Sequence, residues 1–256
     1  MSLRVQVDVR NPGQFFACCG LFELAARLTG DACASFDELF FEVDTACTLA
    51  ELLRQWTRTP VVQLDLEDET SSPLRIESPF DLVLDWWKDV YARGRELKVW
   101  AGTMRSARIA QAMTAALRDP KLHTESLFDV GCVVYDPLEP SKKVEPFYFD
   151  ARRAPNAHSR DVGFSPDSLD LTTIAFPAVE ALSLIGLQRF RPAEVGRRRF
   201  RYRTWATPLR RSVAAAVLGC AVPLVGTRTY EFENWFRTGQ KKHKAFRYAA
   251  EVQEGA

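Results

Sequence analysis

The pattern of hydrophobic and polar positions changes within the first part of the chain. Valines alternate with polar residues over 5–9, which predicts a short strand with one buried face. Asn-Pro-Gly at 11–13 predicts a turn. From about residue 14 to 28, apolar side chains cover most of the helical circumference, so we expect a deeply buried helix. The run LFFEV at 39–43 then completes a strand–helix–strand unit.

The predicted helix contains two adjacent cysteines, Cys18 and Cys19, followed by Gly20. Paired thiolates in structural zinc sites are separated by about two to four residues, so this spacing favours packing over metal binding. Gly20 is expected where another backbone comes close. The six cysteines lie in a chain whose first residues do not resemble a secretory signal, and we predict reduced, mostly buried thiols and no metal site.

The rest of the chain mixes helical and strand patterns irregularly. Helices are predicted at 49–58, with a capping box formed by Thr48 and Glu51, and also at about 97–119, 177–190 and 209–222. Strand patterns occur at 60–67, 73–78, 197–205 and 227–236. Residues from about 120 to 170 contain two short strand-like runs, at 131–135 and 146–151, and are expected to form long excursions. The order does not alternate as in a doubly wound sheet. It predicts an α+β fold with mixed or antiparallel sheets and buried helices, as one unit over residues 1–256.

Composition narrows the class of protein. Hydrophobic residues make up 46% and charged residues 26% of the chain, and no apolar run is long enough to cross a bilayer. We therefore expect a cytoplasmic protein with no membrane partner.

Charge is distributed unevenly along the chain. The formal net charge is only +1, but residues 189–256 contain fifteen Lys and Arg against five Asp and Glu. Residues 1–188 are correspondingly acidic. A basic final quarter is typical of proteins that contact nucleic acid.

The basic part contains RRRFRYRTW at 197–205, which interleaves arginines with aromatic residues. On a strand, Arg199, Arg201, Arg203 and Trp205 would share one face and the intervening residues the other. Guanidiniums spaced by about 7 Å can follow phosphates, and an aromatic ring can stack on a base. The alternative is a solvated edge strand whose arginines prevent edge-to-edge pairing.

A second basic element, GQKKHK, lies at 239–244 and is either a phosphate-contacting loop or an ordinary solvated turn. Two such elements in one region favour nucleic acid as the partner. The predicted contact residues are Arg197, Arg198, Arg199, Arg201, Arg203, Arg210, Arg211, Lys241, Lys242, His243 and Lys244.

Motifs for catalysis are missing from the sequence. It contains no phosphate-binding loop, dinucleotide fingerprint, nucleophile elbow or paired-histidine metal motif, so we predict no cofactor and no enzyme activity. The three histidines, His123, His158 and His243, are scattered. Only His243, surrounded by basic residues, is a candidate acid or base for RNA cleavage.

Several segments together resemble a known family. They are VDVRNPGQFFACCGLFELAARL, LKVWAGTMRSARI, FPAVEALSLIGLQRFRP, FRYRTWATPL and FRTGQKKHKAF, in this order from residue 7 to 246. The chain resembles the third member of the Csb family of CRISPR-associated proteins, which belongs to the subtype formerly called I-U and now I-G. This resemblance covers nearly the whole sequence.

The resemblance implies a non-catalytic subunit of a Cascade-like, RNA-guided surveillance complex that acts in antiviral defence. Its expected partners are CRISPR guide RNA, target DNA and other effector subunits. A ferredoxin-like core, common among CRISPR RNA-binding subunits, is compatible with the predicted elements. Two alternatives stay open: a metal-independent endoribonuclease that processes CRISPR RNA with His243 as general acid or base, and an adaptor whose basic face docks an acidic protein.

Overall fold

The chain forms six α-helices and twelve β-strands over the residues that the computed structural model describes, 2–100, 104–154, 174–237, 241 and 243–253. The helices are α1 (Pro12–Thr29), α2 (Leu49–Arg58), α3 (Gly94–Leu97), α4 (Ser106–Ala116), α5 (Pro177–Arg189) and α6 (Arg211–Leu218). The strands are β1 (Ser2–Gln6), β2 (Cys33–Phe36), β3 (Phe40–Asp44), β4 (Val61–Gln63), β5 (Leu74–Ile76), β6 (Leu82–Leu84), β7 (Ala193–Gly196), β8 (Arg199–Arg203), β9 (Leu209–Arg210), β10 (Thr229–Phe236), β11 (Lys244–Phe246) and β12 (Ala250–Val252).

The first sheet has the strand order β1-β3-β2-β9, and all its neighbouring strands are antiparallel. Strand β3 lies between β1 and β2, which are joined through α1, so these elements form a split β-α-β unit. Helix α1 begins where Asn11 accepts a hydrogen bond from the Gly13 N–H (3.1 Å) and Pro12 occupies the first turn.

The second sheet has the order β11-β10-β8-β7, and β12 also pairs with β10. In its centre Tyr230 lies opposite Tyr202, and Phe232 lies opposite Phe200. A third, smaller sheet has the order β4-β5-β6. Every strand pair in the described part of the chain is antiparallel. The predicted α+β class is confirmed, and the ferredoxin-like core stays a prediction.

The two most buried helices, α1 and α5, pack directly against each other. A Cβ atom on Gly20 would overlap the backbone carbonyl of Leu182, and one on Gly186 would overlap the carbonyl of Phe16. The Ser183 hydroxyl also donates to the Gly13 carbonyl oxygen at 2.7 Å. The close backbone approach predicted at Gly20 is therefore present, and a second glycine makes it reciprocal.

The two strand-like runs in the middle of the chain form no strand, in line with the long excursions expected there. The segment 131–135 contributes isolated bridges from Cys132 to Ala175 and from Tyr135 to Lys143, and the segment 146–151 forms no bridge or strand. In the second segment the N–H groups of Phe149 and Asp150 donate to the carboxylate of Glu180, at 3.2 and 3.1 Å, instead of to a neighbouring strand. A side chain distant in sequence thus satisfies backbone donors that a strand would direct to a neighbouring strand.

A main hydrophobic cluster connects α1 and α5 with residues of all three sheets, from Leu3 to Ala249. Cys18 and Cys19 lie inside it with no exposed surface, and burial raises the pKa of both thiols. The structure thus agrees with packing as the role of this pair. Within the described residues, no helix combines the length and apolar character that crossing a bilayer requires.

Candidate nucleic-acid interface

Strand β8 has the two-sided character that its alternation predicts. Phe200 and Tyr202 are buried beneath the sheet, and Arg199 and Arg201 lie on the other face. The prediction that Trp205 continues the arginine face is wrong. Its side chain is fully buried and its Nε1–H donates to the carbonyl of Ala34 at 2.7 Å, because β8 ends at Arg203 and the alternation ends with it.

The arginine face of β8 is partly neutralised by the next strand. Glu231 lies opposite Arg201 in the β8–β10 register, and its carboxylate accepts from the Nε of Arg199 and of Arg201, both at 2.8 Å. Burial tends to raise the pKa of Glu231, but the two arginines outweigh it and lower that pKa. Arg203 donates to the Thr229 hydroxyl and the Val222 carbonyl, both at 3.4 Å. The row therefore carries more positive than negative charge, but it does not present three free guanidiniums.

A groove of about 590 Å³ runs along the outer face of β10 and includes Arg199 at one side. The alternation of β10 turns Tyr230, Phe232 and Asn234 inward, so Trp235 lies outward with 46% of its surface exposed. Tyr248 also lines the groove and is 49% exposed. These are two accessible aromatic rings in one concave surface.

Two further arginines line this groove. The Arg247 guanidinium lies 5.4 Å from the centre of the Trp235 ring and 4.0 Å from the Glu233 carboxylate. The Arg237 guanidinium lies 3.3 Å from the centre of the Tyr148 ring, and burial lowers the pKa of Arg237. The arrangement combines cations that can contact phosphates with rings that can stack on bases.

Sequence reasoning missed Trp235, Arg237, Arg247 and Tyr248. The outward position of Trp235 could have been found, because it follows Glu231 and Glu233 at a spacing of two on a strand. Arg237, Arg247 and Tyr248 lie outside the strands, where no alternation of side chains predicts their direction. Only the tertiary fold brings them to the groove.

The remaining predicted arginines lie in three different places. Arg197 is exposed in the turn before β8, and Arg198, with a left-handed φ of 60°, stacks its guanidinium 4.4 Å from the centre of the Phe236 ring. Arg210 is 72% exposed and lies 3.7 Å from Asp31 at the edge of the first sheet. Arg211 donates to the buried carboxylate of Glu23. The structure therefore does not gather the predicted arginines into one surface.

The basic loop near residue 240 is only partly described. Lys241 is exposed, and Lys242 lies outside the described residues. His243 is half-buried, and its carbonyl accepts the Arg237 N–H at 2.7 Å. Lys244 donates to the carbonyls of Arg95 and Glu96, at 3.0 and 3.2 Å, and burial lowers its pKa. Lys244 thus holds the end of α3 to the second sheet.

Within the described parts of the chain, no three His, Cys, Asp or Glu side chains converge as a metal site would require. Comparison with protein-family models, curated proteins and solved structures found no match to this chain.

Proposed function

We propose that this protein is a non-catalytic, nucleic-acid-binding subunit of a type I-G (formerly I-U) CRISPR RNA-guided surveillance complex, and that its groove along β10 holds a single-stranded stretch of guide RNA or target DNA. Two things support the proposal: the resemblance to the Csb family along the sequence, and the chemistry of the groove. The observation that carries it is the exposed Trp235 ring beside the Arg247 guanidinium.

The groove fits a single strand better than a duplex. Base–aromatic stacking contributes about 1–3 kcal/mol per base and needs unpaired bases, which Trp235 and Tyr248 could receive. Arg199, Arg237 and Arg247 lie in the same groove, where phosphates of the same strand would pass. Glu231 and Glu233 also line the groove, so binding should depend on few phosphate contacts. Stacking on aromatic rings should tolerate different base sequences, because every base has a flat face.

A binding assay tests the groove. We expect labelled single-stranded RNA and DNA to bind the purified protein more tightly than duplex DNA, and Trp235→Ala to weaken binding about tenfold or more for all sequences. Arg247→Ala should make the slope of log affinity against log salt shallower by about 1. Tyr91→Ala and Arg54→Ala are matched controls, since Tyr91 is 98% exposed and both residues lie outside the groove.

Assembly of the complex tests the biological role. The chain should copurify with the other effector subunits and guide RNA after nuclease treatment has removed unbound nucleic acid. A complex that assembles and binds target DNA equally well without this chain would contradict the proposal. Cleavage of repeat RNA by the purified protein, lost in His243→Ala, would instead support the endoribonuclease alternative.

A further inference from the structure

A cluster of charges lies away from the groove, where α1, α5 and the start of α6 meet. Glu23 of α1 is only 1% exposed, and its carboxylate accepts from Arg27 Nε at 2.7 Å and from Arg189 Nε at 2.6 Å. The Arg211 Nη1 donates to the same carboxylate at 3.3 Å. Three guanidiniums from three helices thus converge on one carboxylate.

The cluster carries a surplus of positive charge. Burial tends to raise the pKa of Glu23, but the hydrogen bonds and charges of the arginines outweigh it and lower that pKa, so the carboxylate is ionised at neutral pH. Among the described residues, Arg27, Arg189 and Arg211 form no ion pair except with Glu23. One negative charge therefore faces three positive ones.

Donors of this cluster also remain available. Arg27 uses its Nη1 for the carbonyls of Phe80 and Asp81, at 2.8 and 3.0 Å, but its Nη2 has no hydrogen-bond partner among the described residues. The same holds for Arg189 Nη1 and for Nε and Nη2 of Arg211. The three arginine side chains are 24–35% exposed, so solvent reaches part of each of them.

We propose that Arg27, Arg189 and Arg211 form a phosphate-binding site anchored by Glu23. A network that served stability alone would gain little from a third guanidinium, because like charges at close range repel each other. An oxyanion with several oxygens removes that repulsion and accepts from planar guanidinium forks arriving from different directions, which is the geometry that phosphate offers. Glu23 holds the forks in place before the phosphate binds.

The site is separate from the groove. It is built by helix ends and includes no groove-lining residue, so it stands whether or not the groove binds a single strand. Its phosphate could come from a nucleic-acid backbone or from free phosphate, and the experiment separates these sources.

Thermal unfolding tests the site with inorganic phosphate as the probe. At pH 7.5 and fixed ionic strength, replacing chloride by phosphate should raise the Tm of the wild-type protein in a saturable way. Arg211→Gln should weaken the apparent phosphate affinity about tenfold, the usual effect of losing a charge-assisted hydrogen bond. Arg54→Gln, which removes an exposed arginine from α2, should keep the wild-type affinity. Equal phosphate effects in all three proteins would overturn the proposal.

A second variant, Arg211→Lys, and a competition measurement with RNA complete the experiment. Arg211→Lys preserves the charge but not the fork, so a folded protein with reduced phosphate affinity supports the site even if Arg211→Gln is unstable. If the phosphate belongs to nucleic acid, Arg211→Gln also weakens binding of single-stranded RNA, and inorganic phosphate competes with that RNA. If RNA binding is unchanged or absent while phosphate affinity falls, the site takes free phosphate.

Discussion

Gly20 and Gly186 form a reciprocal contact at the crossing of α1 and α5. Gly20 lies against the carbonyl of Leu182, four residues before Gly186, and Gly186 lies against the carbonyl of Phe16, four residues before Gly20. Each glycine therefore packs against the helical turn that precedes the glycine of the other helix. Both helices are buried along almost their whole length, so this crossing lies in the interior of the molecule.

Substitution at this crossing should be costly. In Gly186→Ala the added methyl group meets backbone atoms that cannot rotate away, so we expect a loss of about 3 kcal/mol in the free energy of unfolding. Gly196→Ala is the matched control, because a Cβ there would meet only Arg199 side-chain atoms at 3.8 Å. Urea denaturation measures both, and equal stabilities of the two variants would contradict the crossing as described.

Glu231 should weaken nucleic-acid binding in the wild-type protein. Glu231→Gln removes the negative charge that Arg199 and Arg201 share, so single-stranded RNA should bind more tightly at low salt. Stability should change by less than about 1 kcal/mol, because the pairs are partly exposed. Fluorescence anisotropy measures the affinity.

Glu42→Gln is the matched control for Glu231→Gln, since Glu42 pairs with Arg4 at 3.3 Å on the first sheet. Its effect on RNA binding should be negligible. If Glu231→Gln leaves the affinity unchanged, the arginine face of β8 does not contact nucleic acid.

Glu180 should make stability depend on pH. Complete burial, with a contribution from the charge of Asp150, raises its pKa from 4.5 to about 7. Between pH 4.5 and about pH 7, Glu180 keeps its proton in the native state and releases it in the unfolded state. The contribution of Glu180 to the free energy of unfolding is therefore complete below about pH 4.5 and is lost as the pH rises to about 7. The loss is about 3 kcal/mol.

The pH effect is measured by comparison with Glu180→Gln. Urea denaturation of both proteins from pH 5 to 8 cancels the contributions of titrating groups that do not interact with Glu180. The stability of the wild-type protein relative to the variant should fall from pH 5 to 7 and then level off. Parallel curves would show that Glu180 does not hold a proton in the native state.

Cys18 should be inert. Its thiol is fully buried and its pKa is raised by burial, so thiol reagents should modify the half-buried Cys33, Cys132 and Cys220 first, which mass spectrometry can follow. Cys18→Ala should cost about 1 kcal/mol and leave RNA binding intact. Rapid labelling of Cys18 in the native protein would contradict its packing role.

Local sequence patterns determined the elements whose causes are local. Thr48 and Glu51 form the predicted capping box, because both groups lie within one turn. The apolar run after Pro12 predicted a buried α1, and the alternation of RFRYR predicted which face of β8 is buried. The irregular mixture of these patterns was sufficient for the α+β class. It could not give the partners of the excursions at 131–135 and 146–151, which lie far away in the sequence: Cys132 pairs with Ala175, and the N–H of Phe149 donates to Glu180.

The tertiary structure alone decided which charges meet. Arg211 was predicted to contact nucleic acid, and its guanidinium donates a hydrogen bond to Glu23, 188 residues away in sequence. Arg199 and Arg201 both donate to Glu231, which belongs to another strand. The groove likewise combines Trp235 with residues before and after it in the chain. Periodicity specifies the face of a strand or helix on which a side chain lies, but electrostatic and stacking partners depend on which faces the whole chain brings together.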